Sequence, residues 1–146
     1  MTDPIKGSSK LPQPTEEKTV FQPRDIQQNV RVLQVEDTKY IRDATKSFVE
    51  EIQWIYTGAA TGEEALKIYD PKAFDVIIMD IHLGKGMDGY ETTRRIRAIN
   101  PHQLIYSCSS NPVDNSTNLF NGDIPKQGIR NALRGKILVA LSEKKA

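Results

Sequence analysis

Phe74-Asp-Val-Ile-Ile-Met-Asp-Ile-His-Leu83 is the stretch that decides the fold of this chain. The unbroken apolar run before Asp80 is typical of a central parallel strand that is covered on both faces. An aspartate at the end of such a strand needs a compensating partner, because an unpaired buried charge is costly. The segment therefore predicts a buried parallel sheet with a functional carboxylate at one edge.

Strand-like and helix-like segments alternate on both sides of this run. Further strands are predicted at residues 30–35, 53–57 and 104–108, with a very short one at 123–125. Apolar residues at helical spacing predict helices after Asp37 or Thr38, from the capping box Thr61-Gly-Glu-Glu64, over residues 90–99 and from about Ile129. This order favours an α/β fold in which helices cover both faces of a parallel sheet.

Length and composition favour one folded domain in a reducing compartment. The chain has 146 residues, a net charge of +1 and one cysteine, so neither a strong electrostatic field nor an intrachain disulfide is expected. We predict no nucleic-acid or membrane partner and a cytoplasmic location, since no signal-peptide pattern is visible. The proline-rich, polar residues 1–29 predict a disordered tail or linker, or else an arm that docks on a partner or on the domain, before a domain over residues 30–146.

Polar residues follow four of the predicted strands. Glu36 and Asp37 follow the first strand, Asp80 the third, Ser109 the fourth and Lys126 the fifth. Each has an ordinary alternative, as a helix cap, a local hydrogen-bonding group or a solvated lysine. The carboxyl ends of parallel strands share one edge, however, so we expect these side chains to lie together there.

Such a cluster suits phosphoryl chemistry. Three carboxylates repel one another, and Mg²⁺ binds through one or two carboxylates together with phosphate oxygens. A carboxylate such as Asp80 can attack phosphorus to form an acyl phosphate. The Lys126 ammonium and the Ser109 hydroxyl would then contact phosphoryl oxygens.

Five segments resemble the receiver domain of two-component response regulators, of the type found in chemotaxis regulators. They are Val-Leu-Gln-Val-Glu-Asp37, Val-Ile-Ile-Met-Asp-Ile-His-Leu83, Met-Asp-Gly-Tyr-Glu91, Cys-Ser-Ser110 and Lys126, spread over about residues 30–141. The resemblance implies a doubly wound, flavodoxin-like sheet of five strands in the order 2-1-3-4-5. It also implies Mg²⁺-dependent phosphotransfer from a histidine kinase or a histidine phosphotransfer protein.

The resemblance further implies a role for each residue of the cluster. Asp80 is the phosphoacceptor, Asp37 a direct Mg²⁺ ligand, and Glu36 a residue that holds the ion largely through water. The backbone carbonyl of His82 completes the protein ligands, while its side chain is expected to tune the access of water. Ser109 is the switch hydroxyl, which moves on phosphorylation, and Lys126 binds the phosphate.

The sequence departs from the family pattern mainly between the fourth and fifth strands. The stretch from Ser109 to Lys126 is short, which predicts a shortened or missing fourth helix. Asp123 stands where the family carries a switch aromatic, so the output mechanism is left open. A shifted alignment brings Cys108 or Ser110 to the switch position in place of Ser109. Gly84 replaces a usual proline, with one extra residue before Met87, and predicts a looser loop.

Three functions are open to such a chain. The first is a phosphorylated receiver that binds a downstream protein or relays phosphate, with no enzymatic activity beyond its own phosphotransfer and dephosphorylation. The second is a pseudo-receiver, an interaction module that phosphorylation does not regulate. The third, a metal-dependent phosphohydrolase, is disfavoured because His82 occupies the place of a general acid. The cognate kinase, the oligomeric state and whether the chain belongs to a hybrid kinase are left open.

Overall fold

The computed structural model of the protein describes residues 29–145. The predicted N-terminal linker, residues 1–29, lies outside the described residues except for Asn29. The elements are β1 Arg31–Val35, α1 Lys39–Glu51, β2 Ile55–Ala59, α2 Gly62–Ile68, β3 Val76–Met79, α3 Gly89–Ile99, β4 Leu104–Ser107, β5 Gly122–Asp123 and α4 Ile129–Lys145.

The five strands form one parallel sheet in the order β2-β1-β3-β4-β5, which confirms the predicted doubly wound fold. Strand β3 lies between β1 and β4, and all four of its residues are buried. In the register, Met79 pairs with Val35 on one side and with Ser107 on the other. The three central strands therefore end level with one another at their carboxyl ends.

Each face of the sheet has its own core. Alternate strand residues, among them Ile78 and Tyr106, pack with α1 and α4 on one face; the other members of this core include Val32, Phe48, Val49, Leu133 and Ile137. The intervening residues, among them Ile77 and Ile105, pack with α2 and α3 on the opposite face, together with Leu33, Ala65, Met79 and Ile96. This alternation follows from the period of two along a strand and fixes which face each later residue meets.

The connection from β4 to β5 contains no helix within residues 108–121, as the shortened sequence predicts. Phe120 takes over part of the covering role: it is buried in the core of α2 and α3, and its ring lies 5.9 Å from that of Tyr90. Arg97 on α3 holds this connection in place by donating to the backbone carbonyl of Leu119 and to the side-chain oxygen of Asn121. An extended segment thus replaces a helix on this side of the sheet.

Two strands, β2 and β5, differ most from their predicted boundaries. Strand β2 begins at Ile55, because the buried Trp54 belongs to the turn that follows α1. Strand β5 is shorter and earlier than predicted, because Pro125 has no N–H to donate to a ladder. The helix start predicted at Thr61 is confirmed, since the Thr61 hydroxyl accepts from the Glu64 N–H at 2.9 Å. The Glu64 carboxylate accepts from the Ala60 N–H at 2.7 Å rather than from that of Thr61, so the reciprocal bond of a capping box is shifted by one residue.

Across residues 29–145, none of the helices has the length and apolar character that crossing a membrane requires.

Candidate functional site

Three carboxylates converge at the carboxyl edge of the sheet. Glu36 directly follows β1 and Asp80 directly follows β3, and these two side chains are buried, with exposed fractions of 1% and 3%. Asp37 is exposed beside them. One oxygen from each of the three carboxylates lies within 4.8 Å of the others. The strand order explains the convergence, since β1 and β3 are neighbours whose ends are level.

Lys126 brings a positive charge to this edge. Its Nζ lies 3.2 Å from Oε1 of Glu36 and 3.3 Å from Oδ2 of Asp80, although it follows β5 at the far side of the sheet. Burial alone would lower the pKa of Lys126, but the charges of Glu36 and Asp80, and its hydrogen bonds to them, outweigh burial and raise it. The lysine therefore stays charged and is held between the two buried carboxylates.

Glu36 is a carboxyl whose surroundings favour its neutral form. Burial raises the pKa of Glu36, and the nearby Asp80 charge raises it further. The Thr38 N–H, 3.1 Å from Oε2, and the Lys126 ammonium act in the opposite direction without cancelling the rise. Three carboxylates whose oxygens converge within 4.8 Å fit a hard divalent cation such as Mg²⁺.

The backbone after Asp80 turns back over the site. Oδ1 of Asp80 accepts from the His82 N–H at 3.3 Å, and the His82 side chain is exposed. The Gly89 N–H donates to the Ile81 carbonyl at 2.9 Å. A Cβ at Gly89 would lie 2.2 Å from the Asp80 carbonyl oxygen, so only glycine allows α3 to begin this close to the site.

The loop of residues 84–88 is held in place by Glu63, a residue that the sequence analysis missed. Oε2 of Glu63, on the first turn of α2, accepts from the Met87 N–H at 3.0 Å, and this bond lowers the pKa of Glu63. Gly84 and Gly86 both adopt a positive φ, of 74° and 86°. The loop that we predicted to be looser is therefore tied to α2. No sequence motif connects Glu63 with a loop 24 residues further on.

The residues at the end of β4 are arranged differently from the prediction. Ser109 is buried, and its Oγ accepts from the Asn111 N–H at 3.2 Å. Within residues 29–145, no hydrogen bond joins the Ser109 hydroxyl to the three carboxylates. Cys108 has an exposed fraction of 2%, and burial raises the pKa of its thiol to about 12. Ser110 is exposed.

Asp123, at the position where an aromatic was expected, is exposed and accepts from the Ser107 hydroxyl at 3.2 Å. This contact ties β5 to β4 beside the site. The structure therefore has an exposed acid at this position, where the resemblance led us to expect an aromatic ring.

Comparisons with known proteins agree with this architecture. The family model of the response regulator receiver domain matches residues 32–120. The autoinducer 2 sensor kinase/phosphatase LuxQ of Vibrio vulnificus is 33% identical over 109 residues, which cover 72% of this chain and 13% of that protein. The regulatory protein VanRB of Enterococcus faecalis is 26% identical over 95 residues, which cover 65% of this chain and 43% of that protein. The chain thus spans less than half the length of these relatives.

Solved receiver structures have the same fold. A response regulator receiver domain protein from Methanospirillum hungatei matches with a TM-score of 0.72 and 24% identity, over 80% of this chain and 97% of that one. The response regulator protein TrrA from Thermotoga maritima, solved in complex with Mg²⁺-BeF, matches with a TM-score of 0.67 and 27% identity, over 74% and 96% of the two chains. With the family match across more than half of its length, this chain belongs to the response regulator receiver domain family.

Proposed function

We propose that this chain accepts a phosphoryl group on Asp80 and passes the signal on through protein–protein contacts. One observation carries the proposal: Asp80 is buried at the end of β3, with Lys126 3.3 Å away and the Glu36 and Asp37 carboxylates beside it. A structural aspartate would have no reason to be grouped with two further carboxylates, since like charges in a buried site repel one another.

The transfer requires only groups that the site supplies and a phosphorylated donor. An Asp80 carboxylate oxygen attacks phosphorus, a new O–P bond forms, and the P–N bond of a phosphohistidine breaks. The imidazole of the donor keeps the bonding electron pair and takes up a proton. Lys126 is positioned to offset negative charge on the phosphoryl oxygens.

Mg²⁺ would supply further charge neutralisation when bound. Asp37 and Asp80 are the direct carboxylate ligands in this proposal, Glu36 acts largely through water, and the His82 carbonyl contributes the backbone ligand. The exposed His82 side chain would modulate the approach of water to the phosphorylated aspartate. The sequence predicts a donor to the phosphoryl group at the end of β4, with Ser109 as the first choice and Cys108 and Ser110 as the alternatives.

The partners follow from this chemistry. A histidine kinase or a histidine phosphotransfer protein would donate the phosphoryl group, and LuxQ, one relative, is named as a sensor kinase/phosphatase. A downstream protein would read the phosphorylated state. We propose no enzymatic turnover beyond self-catalysed phosphotransfer and dephosphorylation, and we retain the cytoplasm as the predicted location.

The test is phosphorylation by acetyl phosphate with Mg²⁺, followed by intact-protein mass spectrometry. We expect the wild type to gain the mass of one phosphoryl group, and Asp80→Asn to gain none. Asp70→Asn is the matched control, because Asp70 is an exposed aspartate before β3, at the opposite edge of the sheet. Equal behaviour of the wild type and Asp80→Asn would reject the proposal.

A pseudo-receiver is the second candidate, and the helix-free connection and Asp123 favour it. It predicts an unmodified mass under the same conditions, together with weak binding of Mg²⁺. Calorimetry suits the Mg²⁺ titration better than fluorescence, because Trp54 precedes β2 and so lies at the amino edge, away from the carboxylates.

A further inference from the structure

We propose that Cys108, rather than Ser109, supplies the hydrogen bond from β4 to a phosphoryl group on Asp80. The inference rests on the proposed function and assigns the switch position, which the sequence leaves open among Cys108, Ser109 and Ser110. Under this inference the donor to the phosphoryl group is a thiol, whereas the sequence predicted a hydroxyl.

The register of the sheet is the first argument. Ile78 pairs with Tyr106, and Met79 pairs with Ser107. One step further along both strands sets Cys108 beside Asp80. The Cys108 N–H donates to the Met79 carbonyl at 2.8 Å, so the two chains are still paired at this step. Ser109 lies one residue beyond the level of Asp80.

The direction of the side chains is the second argument. Successive side chains of a strand point to opposite faces. Tyr106 and Cys108 belong to the core shared with α1 and α4, as does Ile78, two residues before Asp80. Asp80 and Cys108 therefore lie on the same face of adjacent strands. The charges of Lys126 and Glu36 also act on the thiol, which agrees with this placement.

The third argument concerns the hydroxyl that Cys108 would replace. Ser109 Oγ is already an acceptor for the Asn111 N–H, in a local turn after β4. This contact holds the Ser109 side chain against the backbone of the segment that leads from β4 to β5. The Cys108 thiol forms no hydrogen bond within residues 29–145 and has an exposed fraction of 2%.

A thiol is a weaker hydrogen-bond donor than a hydroxyl, and this difference makes the inference measurable. We would titrate beryllofluoride into Mg²⁺-saturated protein and follow the bound fluoride by NMR. Cys108→Ser should bind beryllofluoride about fivefold more tightly than the wild type, and Cys108→Ala about fivefold more weakly. Ser109→Ala should stay within about twofold of the wild type. The affinity for Mg²⁺ alone should be the same in all four proteins.

Thiol labelling gives a second measurement that needs no substitution at Cys108. The chain has one cysteine, so alkylation reports on this thiol alone. Because the thiol is buried, alkylation requires a local opening of the structure, and we expect Mg²⁺ with beryllofluoride to slow this alkylation of the wild type severalfold relative to Mg²⁺ alone. In Asp80→Asn the rate should not change, because no phosphoryl analogue binds there.

The outcomes separate this inference from the proposed function. If the wild type binds beryllofluoride, but Ser109→Ala weakens binding while Cys108→Ser and Cys108→Ala do not alter it, the inference is wrong and the receiver function stands. If the wild type neither binds beryllofluoride nor gains mass with acetyl phosphate, both are wrong. An altered Mg²⁺ affinity in the Cys108 variants would show a general distortion of the site and would also count against the inference.

Discussion

Glu36 is, at the scale of one residue, a buried carboxyl whose ionisation lowers the stability of the fold. Its pKa is raised above the ordinary value of 4.5, so the folded state binds this proton more tightly than the unfolded chain. The free energy of unfolding therefore falls as pH rises from 4.5 through the raised pKa. An ionised, buried Glu36 is a net cost to the metal-free fold.

This cost predicts the behaviour of Glu36→Gln. In EDTA, the variant should match the wild type at about pH 4 and become progressively more stable than it towards about pH 7. Added Mg²⁺ should stabilise the wild type more than the variant, because the neutral Gln side chain attracts the ion less strongly than a carboxylate does. Urea unfolding across this pH range measures both effects. A stability difference that does not change with pH would contradict the interpretation.

Arg97 operates at the scale of elements, because it joins α3 to the connection that replaces a helix. Its guanidinium donates to three backbone carbonyls, those of Pro101, Gln103 and Leu119, and to the Asn121 side chain. Asn121 in turn accepts from the Ile105 N–H at 2.8 Å and so extends the pairing of β4. One side chain thus organises the approach to β5.

We expect Arg97→Met to destabilise the fold by about 2–3 kcal/mol, because it leaves partly buried carbonyls without donors. Hydrogen exchange of residues 119–123 should accelerate more than that of α1. Arg94→Met is the matched control on the same helix: Arg94 is exposed and forms a surface ion pair with Glu91, so its loss should cost less than about 1 kcal/mol. Equal losses of stability in the two variants would contradict a special role for Arg97.

We expect the whole molecule to transmit a smaller conformational change than a receiver with a full set of helices and a switch aromatic would. Asp123 replaces the aromatic and bonds Ser107, and residues 108–121 hold no helix that could shift. The loop of residues 83–89, next to Asp80, is the other segment that we expect to respond to phosphorylation, although Glu63 ties it to α2. We therefore expect a local response to phosphorylation.

Hydrogen exchange over the whole molecule, with and without Mg²⁺ and beryllofluoride, tests whether the response to phosphorylation is local. Protection should change in residues 83–89 and 107–122 and stay constant in α4, whose core residues Leu133 and Ile137 are fully buried. Asp80→Asn is the control for effects of the reagents. A protection change that spreads along α4 would show long-range coupling through another route.

The sequence alone was sufficient for the sheet and for the main members of the site. The apolar run before Asp80 identifies a central strand, because only a strand covered on both faces has no polar alternation. Glu36, Asp37 and Lys126 could be assigned to the same edge because parallel strands end together. The absence of a helix between β4 and β5 could also be predicted, because too few residues separate these two strands.

Only the tertiary structure decided which β4 residue faces Asp80 and what holds the neighbouring loop. A shift of one residue moves a side chain to the other face of a sheet, and Cys108, Ser109 and Ser110 offer no pattern that fixes the register. The pairing of Met79 with Ser107 fixes it. The Glu63–Met87 contact likewise depends on how α2 packs beside the loop, which local sequence does not encode. Periodicity is a local property, whereas register and loop contacts arise from the packing of distant segments.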